Sequence, residues 1–114
     1  MNYKIIALDF FNRKLKKLKK KYRNIKKDYE LLLDTLEKDP YAGDAIKGCK
    51  NKIYKIRLKS SDMKRGKRGG FRVIYYLVDR DKKIYLLTIY AKTKKETISI
   101  KEIKDALKEL NLTL

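Results

Sequence analysis

The chain has 114 residues, with 32 lysines and arginines against 14 aspartates and glutamates, which gives a formal net charge of +18. Apolar residues make up 43% of the sequence, enough for a modest core, so we expect residues 1–114 to form a single domain. Such a charge excess is typical of proteins that bind nucleic acid. A lysine-rich genome or an acidic protein partner would also account for it.

Histidine is absent, and Cys49 is the single cysteine. One cysteine forms no internal disulfide, which fits a reducing cytosol, and without histidine a nucleophilic cysteine lacks its usual base. The missing histidines also remove the commonest zinc and copper ligands, so we expect no metal and no cofactor. No apolar segment reaches membrane-spanning length and no signal peptide is recognisable, so the sequence predicts a soluble, cytoplasmic protein without membrane contacts.

The first half of the chain predicts a strand followed by helices. Residues 3–8 form a short apolar, β-branched run, and Asp9 is placed to cap a helix. Two apolar stripes at helical spacing follow, the second of which ends before Pro40. Since Asn24 lies between them, the region is either a helical hairpin or one long bent helix. The stripes consist of Phe11, Leu15, Leu18, Tyr22, Ile25, Tyr29, Leu32, Leu33 and Leu36.

The second half of the chain predicts a three-stranded meander and a last helix. Residues 39–52 form a polar connector, residues 79–82 a tight turn, and Ser99 with Glu102 the spacing of a capping box. The predicted strands are residues 53–59, 71–78 and 83–90, the last with buried character on both faces. The sequence therefore predicts an α+β fold, a small antiparallel sheet of about four strands with two N-terminal helices and one C-terminal helix on one face.

A cluster of cations surrounds the first two strands of this meander. Alternation along the first strand places Ile56 and Leu58 toward the helices and places Lys55, Arg57 and Lys59 on the other face. A glycine-rich loop with Lys64, Arg65, Lys67 and Arg68 follows, and the next strand opens with Arg72. Cations on one sheet surface repel one another, so this pattern favours a polyanionic partner, above all RNA. A solvated sheet face is the alternative.

Two long segments carry a family resemblance. These segments, IYKIRLKSS (residues 53–61) and KRGGFRVIYYLVDRDKKIYLLTIYAKTKKETIS (residues 67–99), resemble the RelE/ParE superfamily of bacterial toxins, and most closely its HigB branch. The resemblance implies a RelE-like fold and a ribosome-dependent mRNA endonuclease that cleaves by attack of the ribose 2′-hydroxyl on the adjacent phosphate. It also implies contacts with mRNA on the ribosome and with rRNA, and a cognate antitoxin, usually with a helix-turn-helix domain.

That chemistry needs a base, cations that stabilise charge on phosphorus, and an acid for the leaving oxygen. Neighbouring cations would lower the pKa of Lys55, which makes it a reasonable base, and arginines suit phosphate stabilisation. The position that matches the family's C-terminal tyrosine holds Ser99, so Tyr76 or Tyr90 would have to replace it. We expect catalytic roles for Lys55, Arg57, Arg68, Arg72, Lys92 and Lys94, and RNA binding by Lys59, Lys64, Arg65, Lys67, Tyr76 and Tyr90.

Two other functions fit parts of the pattern. One is a non-enzymatic inhibitor of DNA gyrase of the ParE type, although such chains usually carry fewer cations on the central strands. The other is an RNA- or ribosome-binding module without nuclease activity, in which the lysines of residues 14–27 and of the sheet only contact phosphates.

Overall fold

The computed structural model describes residues 3–49, 52–63, 70–92 and 98–110. Within these ranges the chain forms a five-stranded sheet with the order β1-β5-β4-β3-β2. The strands are β1 (Lys4–Ala7), β2 (Asp44–Ala45), β3 (Ile53–Leu58), β4 (Phe71–Val78) and β5 (Lys83–Ala91). The helices are α1 (Asp9–Lys21), α2 (Ile25–Lys38) and α3 (Ile100–Leu107), and a short 3₁₀ turn, Lys108–Leu110, follows α3.

The α+β class, the meander and the three helices are confirmed, and the N-terminal helical region is a hairpin. The sheet differs from the prediction in two ways. β1 pairs with β5 in parallel, because the chain crosses one face of the sheet as two helices before it returns to form the meander. The connector also contributes the two-residue strand β2, which is antiparallel to β3 and places Asp44 opposite Lys55.

The helices cover both faces of the sheet, so the prediction that they share one face is wrong. Alternate residues of β4 belong to different cores: Val73 and Tyr75 pack with α1 and α2, whereas Ile74 packs with Ile103 and Leu107 of α3. Because β4 and β5 are apolar on both sides, α3 can bury its apolar stripe on the face opposite the hairpin. We call this the α3 face.

A register shift interrupts the pairing of β4 with β5. Tyr75 lies opposite Leu86, but the preceding residue of β4, Ile74, lies opposite Thr88, so Leu87 has no opposite residue. Leu87 packs into the core under α3. Such a bulge changes the direction of the side chains that follow it.

The helix ends are capped in one expected and one unexpected way. Ser99 and Glu102 form the predicted capping box at α3. Asp9, however, is the first residue of α1 and not its cap, because Glu109 from the chain's other end accepts hydrogen bonds from the backbone N–H groups of Asp9 and Phe10 at 2.8 and 3.1 Å. A carboxylate at a helix N-terminus is favourable for the same reason as a local cap, so the tertiary contact replaces it.

Tyr75 fixes the connector against the sheet. Its buried hydroxyl donates to the carbonyl of Pro40 at 2.8 Å and accepts from the N–H of Gly43 at 3.0 Å. A Cβ at Gly43 would lie 2.8 Å from the carbonyl oxygen of Lys55, so only glycine lets the connector approach β3 this closely. Within the described ranges, no helix is long and apolar enough to cross a membrane.

Candidate nucleic-acid interface

Three side-chain positions form a row across the α3 face at one end of the sheet. Arg57 of β3 lies directly opposite Arg72 of β4, and Arg72 lies directly opposite Tyr90 of β5. We call these three residues the arginine row. Residues opposite each other in antiparallel strands have Cβ atoms about 4.5–5.5 Å apart and point to the same face. The row therefore brings the side chains of two arginines and one tyrosine to adjacent positions on this face.

The two arginines differ in exposure. Arg57 is exposed, whereas Arg72 is buried, with 8% of its surface accessible. Burial and the nearby charge of Arg57 lower the pKa of Arg72, and Tyr90 acts in the opposite direction. One guanidinium nitrogen of Arg72 donates to the carbonyl of its neighbour Phe71 at 3.2 Å. Two guanidinium groups at adjacent positions can bind the oxygens of one anion.

Lys55 lies one row further along the same face. Its cross-strand neighbours are Ile74 on β4 and Asp44 on β2. The register thus brings Lys55, Arg57 and Arg72 to one sheet surface, and Ile56 and Leu58 pack against the α1–α2 core, as alternation along β3 predicts. Asp44 is the one carboxylate that the register places beside Lys55 among the described strands.

Of the two tyrosines expected to bind RNA, Tyr90 is the one beside the arginines. It is largely buried, and burial raises its pKa, which Arg72 partly offsets and Glu102 of α3 reinforces. Tyr76 lies on the same face but pairs with Ile53 and stacks on Tyr85, with ring centroids 6.1 Å apart. Tyr76 is four residues from Arg72, which is roughly 13 Å along a strand.

The bulge in β5 is the reason that Tyr90 faces Arg72. Counted back from the Val78–Lys83 pair without interruption, the register would place Ile89 opposite Arg72. The shift at Leu87 replaces it with Tyr90 and leaves Ile89 in the α1–α2 core. A bulge that redirects a side chain beside a charged cluster is typical of functional sites.

Other expected site residues lie around the row or outside the described residues. Lys92 follows β5, and its N–H donates to the carbonyl of Gly70 at 3.0 Å, which places its backbone at the start of β4. Lys59 is exposed directly after β3. Gly70 itself has a left-handed φ of 79°, and a Cβ there would lie 2.6 Å from the carbonyl of Leu58. Outside the described residues lie Lys64, Arg65, Lys67, Arg68 and Lys94.

Sequence reasoning missed a buried carboxylate near this end of the sheet. Asp28 of α2 accepts hydrogen bonds from the N–H of Ser61 at 3.0 Å and from its hydroxyl at 2.8 Å. It is buried, with 4% of its surface accessible. Its position three residues after Ile25 and four before Leu32, within the apolar stripe of α2, was the available signal.

The far end of the sheet carries a second polar group of residues, which we call the Asp79 cluster. Asp79 follows β4 and accepts hydrogen bonds from the hydroxyls of Tyr3 and Tyr41, and it forms an ion pair with Lys52. These hydrogen bonds lower the pKa of Asp79 to about 2, with that from Lys52 the largest. The cluster joins β1, the connector and the β4–β5 turn.

Within the part of the chain that the structure describes, Cys49 lacks the surroundings of a reactive thiol, and the acidic side chains form no cluster of metal ligands. Cys49 is half-buried, and burial raises its pKa, the opposite of what a nucleophilic thiolate needs. No group of three or more cysteine, aspartate or glutamate side chains in the described ranges could hold a metal ion.

A solved toxin structure shares this architecture. No family model matches the sequence. Among solved structures, the chain is similar to an Escherichia coli RelE toxin in the free state, a mutant with two arginines replaced by alanine. The identity is 20%, the TM-score is 0.62, and the match covers 96% of this chain and 99% of that one. Over nearly its whole length, this chain therefore has the fold of the RelE toxin.

Proposed function

We propose that this protein is the toxin of a toxin-antitoxin pair and that it cleaves mRNA on the ribosome by attack of the ribose 2′-hydroxyl on the adjacent phosphate. The observation that carries the proposal is the arginine row, in which the buried Arg72 lies between Arg57 and Tyr90. The RelE fold and the sequence resemblance to the HigB branch support the same function. The activity would take place in the cytoplasm, where ribosomes are.

The arginines suit the transition state of this reaction. Attack by the 2′-hydroxyl adds negative charge to the non-bridging phosphate oxygens, and a guanidinium can bind two oxygens at once while staying charged. Arg72 is held by strands on both sides and is partly removed from water, so its interaction with that charge is stronger than it would be in solvent. Arg57 is the second donor in this scheme.

The proton transfers would fall to groups around the row. Lys55 lies on the same face, two residues before Arg57 on β3, and is our candidate base. Lys92 directly follows β5, where a leaving oxygen would be protonated. Arg68 and Lys94 complete the proposed catalytic set, outside the described residues. Tyr90 would contact the nucleotide beside Arg72, in place of the family's C-terminal tyrosine.

Binding would involve a wider set of cations. Exposed Lys59, together with Lys64, Arg65 and Lys67, would hold RNA phosphates, and Tyr76 would contact RNA further along the α3 face. The α1–α2 hairpin adds many exposed cations that suit rRNA, since phosphate contacts give affinity without sequence choice. A cognate antitoxin would have to cover or neutralise this surface, and charge complementarity would speed its association.

The test is cleavage of a programmed ribosome under single-turnover conditions with saturating protein. The wild type should cut the mRNA at one phase of the codon, and Arg72→Ala should slow cleavage by about 100-fold or more, because removing one such donor typically has that effect. Arg80→Ala is the matched control, since Arg80 is an exposed arginine in the turn at the far end of β4. It should cut at the wild-type rate.

Brief expression in bacteria separates the competing functions. Codon-phased mRNA ends found by primer extension, with growth arrest relieved by a neighbouring antitoxin gene, support the proposal. DNA damage without mRNA cuts would indicate a gyrase inhibitor instead. Ribosome binding without cuts or DNA damage would indicate a module that has no nuclease activity, and either result would overturn the proposed function.

A further inference from the structure

A hydrogen-bonded connection joins α2 to the chain just beyond β3. Asp28 accepts hydrogen bonds from both the backbone N–H and the hydroxyl of Ser61. Asp62 accepts hydrogen bonds from the backbone N–H and the side-chain amide of Asn24, at 2.8 and 2.9 Å. Two neighbouring residues after β3 are thus bound to positions 24 and 28, at the N-terminal end of α2. We call these contacts the α2 latch.

The segment bound by the latch is also tied to the start of β4. The buried hydroxyl of Ser60 accepts from the N–H groups of Asp62 and Met63 at 3.2 and 3.3 Å, which bends the chain sharply after β3. The N–H of Gly70 donates to the sulfur of Met63. The latch therefore fixes the point where the chain leaves β3 and approaches the strand that carries Arg72.

The end of β3 needs such support because its outer edge is only partly paired. β2 reaches Tyr54 and Lys55, and within the described ranges no strand pairs with the outer edge beyond them. Arg57 lies in this part of β3, held by β4 on one side. A groove of about 430 Å³ runs between α2 and β3, and its lining includes Asp28, Arg57 and Ser61.

Burial of the Asp28 carboxylate opposes folding unless its contacts offset the hydration that it loses. A carboxylate in an apolar helix stripe loses hydration, and two hydrogen bonds from one serine only partly replace it. A leucine at this position would continue the stripe formed by Ile25 and Leu32. With aspartate at this position, α2 instead makes a fixed contact with Ser61, two residues after Lys59.

We infer that Asp28 is a positioning residue for Arg57. Through Ser61, it holds the terminal part of β3 so that the Arg57 guanidinium stays opposite Arg72 when the phosphate binds. Asp28 does not touch the RNA in this scheme. The inference rests on the proposed function for its catalytic consequence, but the positioning itself is a property of the fold.

The experiment combines cleavage with a measurement on the protein alone. Asp28→Ala should slow single-turnover cleavage by about tenfold at saturating protein while apparent affinity for the ribosome changes less than twofold, because a misplaced donor loses transition-state contact first. Asp28→Asn should restore most of the rate, since an asparagine amide can accept from the N–H of Ser61 and donate to its hydroxyl. Asp34→Ala, an exposed aspartate on the same helix, is the matched control and should be neutral.

A double mutant tests whether the effect passes through Arg57. If Asp28 acts by positioning Arg57, Asp28→Ala should cost less than twofold in an Arg57→Ala background. An undiminished tenfold loss in that background would overturn the inference, as would wild-type cleavage by Asp28→Ala. A variant that fails because it unfolds would lose ribosome affinity as well, and Asp28→Asn would then separate folding from positioning.

NMR of the protein alone distinguishes failure of the positioning from failure of the proposed function. In Asp28→Ala, the Ser61 amide should exchange with solvent at least tenfold faster, and the Arg57 side-chain N–H signal should shift, while amides of β5 stay unchanged. If these changes occur but the wild type cuts no mRNA, the proposed function fails and the positioning stands. If Ser61 and Arg57 are unaffected, the positioning is wrong whatever the wild type cleaves.

Discussion

The two ends of β4 hold charge in opposite ways. At its start, Arg72 is buried beside the like charge of Arg57, and the pKa of Arg72 is lowered as a result. Just after its end, the carboxylate of Asp79 accepts hydrogen bonds from two tyrosine hydroxyls and one lysine ammonium group, which lower its pKa to about 2. The surroundings of Arg72 thus disfavour its positive charge, whereas those of Asp79 favour its negative charge.

This difference separates a candidate site from a structural contact. In the Asp79 cluster, the carboxylate is paired with hydrogen-bond donors from the protein itself, and these contacts join three chain segments. The cluster therefore has a structural role. In the arginine row, burial and the charge of Arg57 both act against the charge of Arg72. Proteins commonly concentrate such locally unfavourable arrangements where they bind or react.

The strongest test of this contrast replaces Arg72 by methionine, which keeps the chain length and removes the charge. Cleavage should fall by about 100-fold or more, while the free energy of unfolding should change little, because methionine keeps most of the apolar part of the buried side chain. Single-turnover cleavage and urea denaturation measure the two quantities. A stability loss above about 2 kcal/mol would show that Arg72 has a structural role instead.

Alternation along strands predicted much of the site but not its register. The period of two was enough to place Arg57 and Arg72 on one face and Leu58 in the core. It could not show that Tyr90 faces Arg72, because that pairing depends on the bulge at Leu87. A bulge is a local departure from the period and leaves no clear pattern in an apolar strand.

The positions of α3 and Asp28 lay beyond sequence reasoning for another reason. The amphipathic stripe of α3 predicts a buried helix, but strands that are apolar on both sides accept a helix on either face. Asp28 forms its contact with Ser61, 33 residues away. Such a contact depends on the packed arrangement of α2 and β3, as does the capping of α1 by Glu109.

A second test asks whether every cation at this end behaves like the row. Lys59 is exposed and follows the strand, so it should contact phosphate about equally before and during the reaction. Lys59→Ala should weaken ribosome binding several-fold and reduce the dependence of affinity on salt by about one phosphate contact, with the saturating rate unchanged. Titrations at two salt concentrations measure this. Loss of the saturating rate would move Lys59 into the catalytic set.

The opposite end of β4 should give the reverse result. Asp79→Asn removes the ion pair with Lys52 and weakens the contacts with Tyr3 and Tyr41, so the melting temperature should fall while cleavage by the folded protein stays at the wild-type rate. Asp81→Asn, an exposed aspartate in the same turn, should leave the melting temperature unchanged. Reduced cleavage at temperatures well below the transition would mean that the two ends are coupled.

The pH dependence of stability gives the finest test of the Asp79 cluster. A carboxyl whose folded pKa, about 2, lies below its usual value of 3.8 stabilises the fold above pH 4, and this stabilisation is lost as the pH falls from about 4 to 2. The difference in unfolding free energy between the wild type and Asp79→Asn should therefore be constant from pH 5 to 7 and shrink below pH 4. Asp81→Asn should show no such change. If the difference stays constant down to pH 2, the carboxylate of Asp79 is not what holds β1, the connector and the turn together.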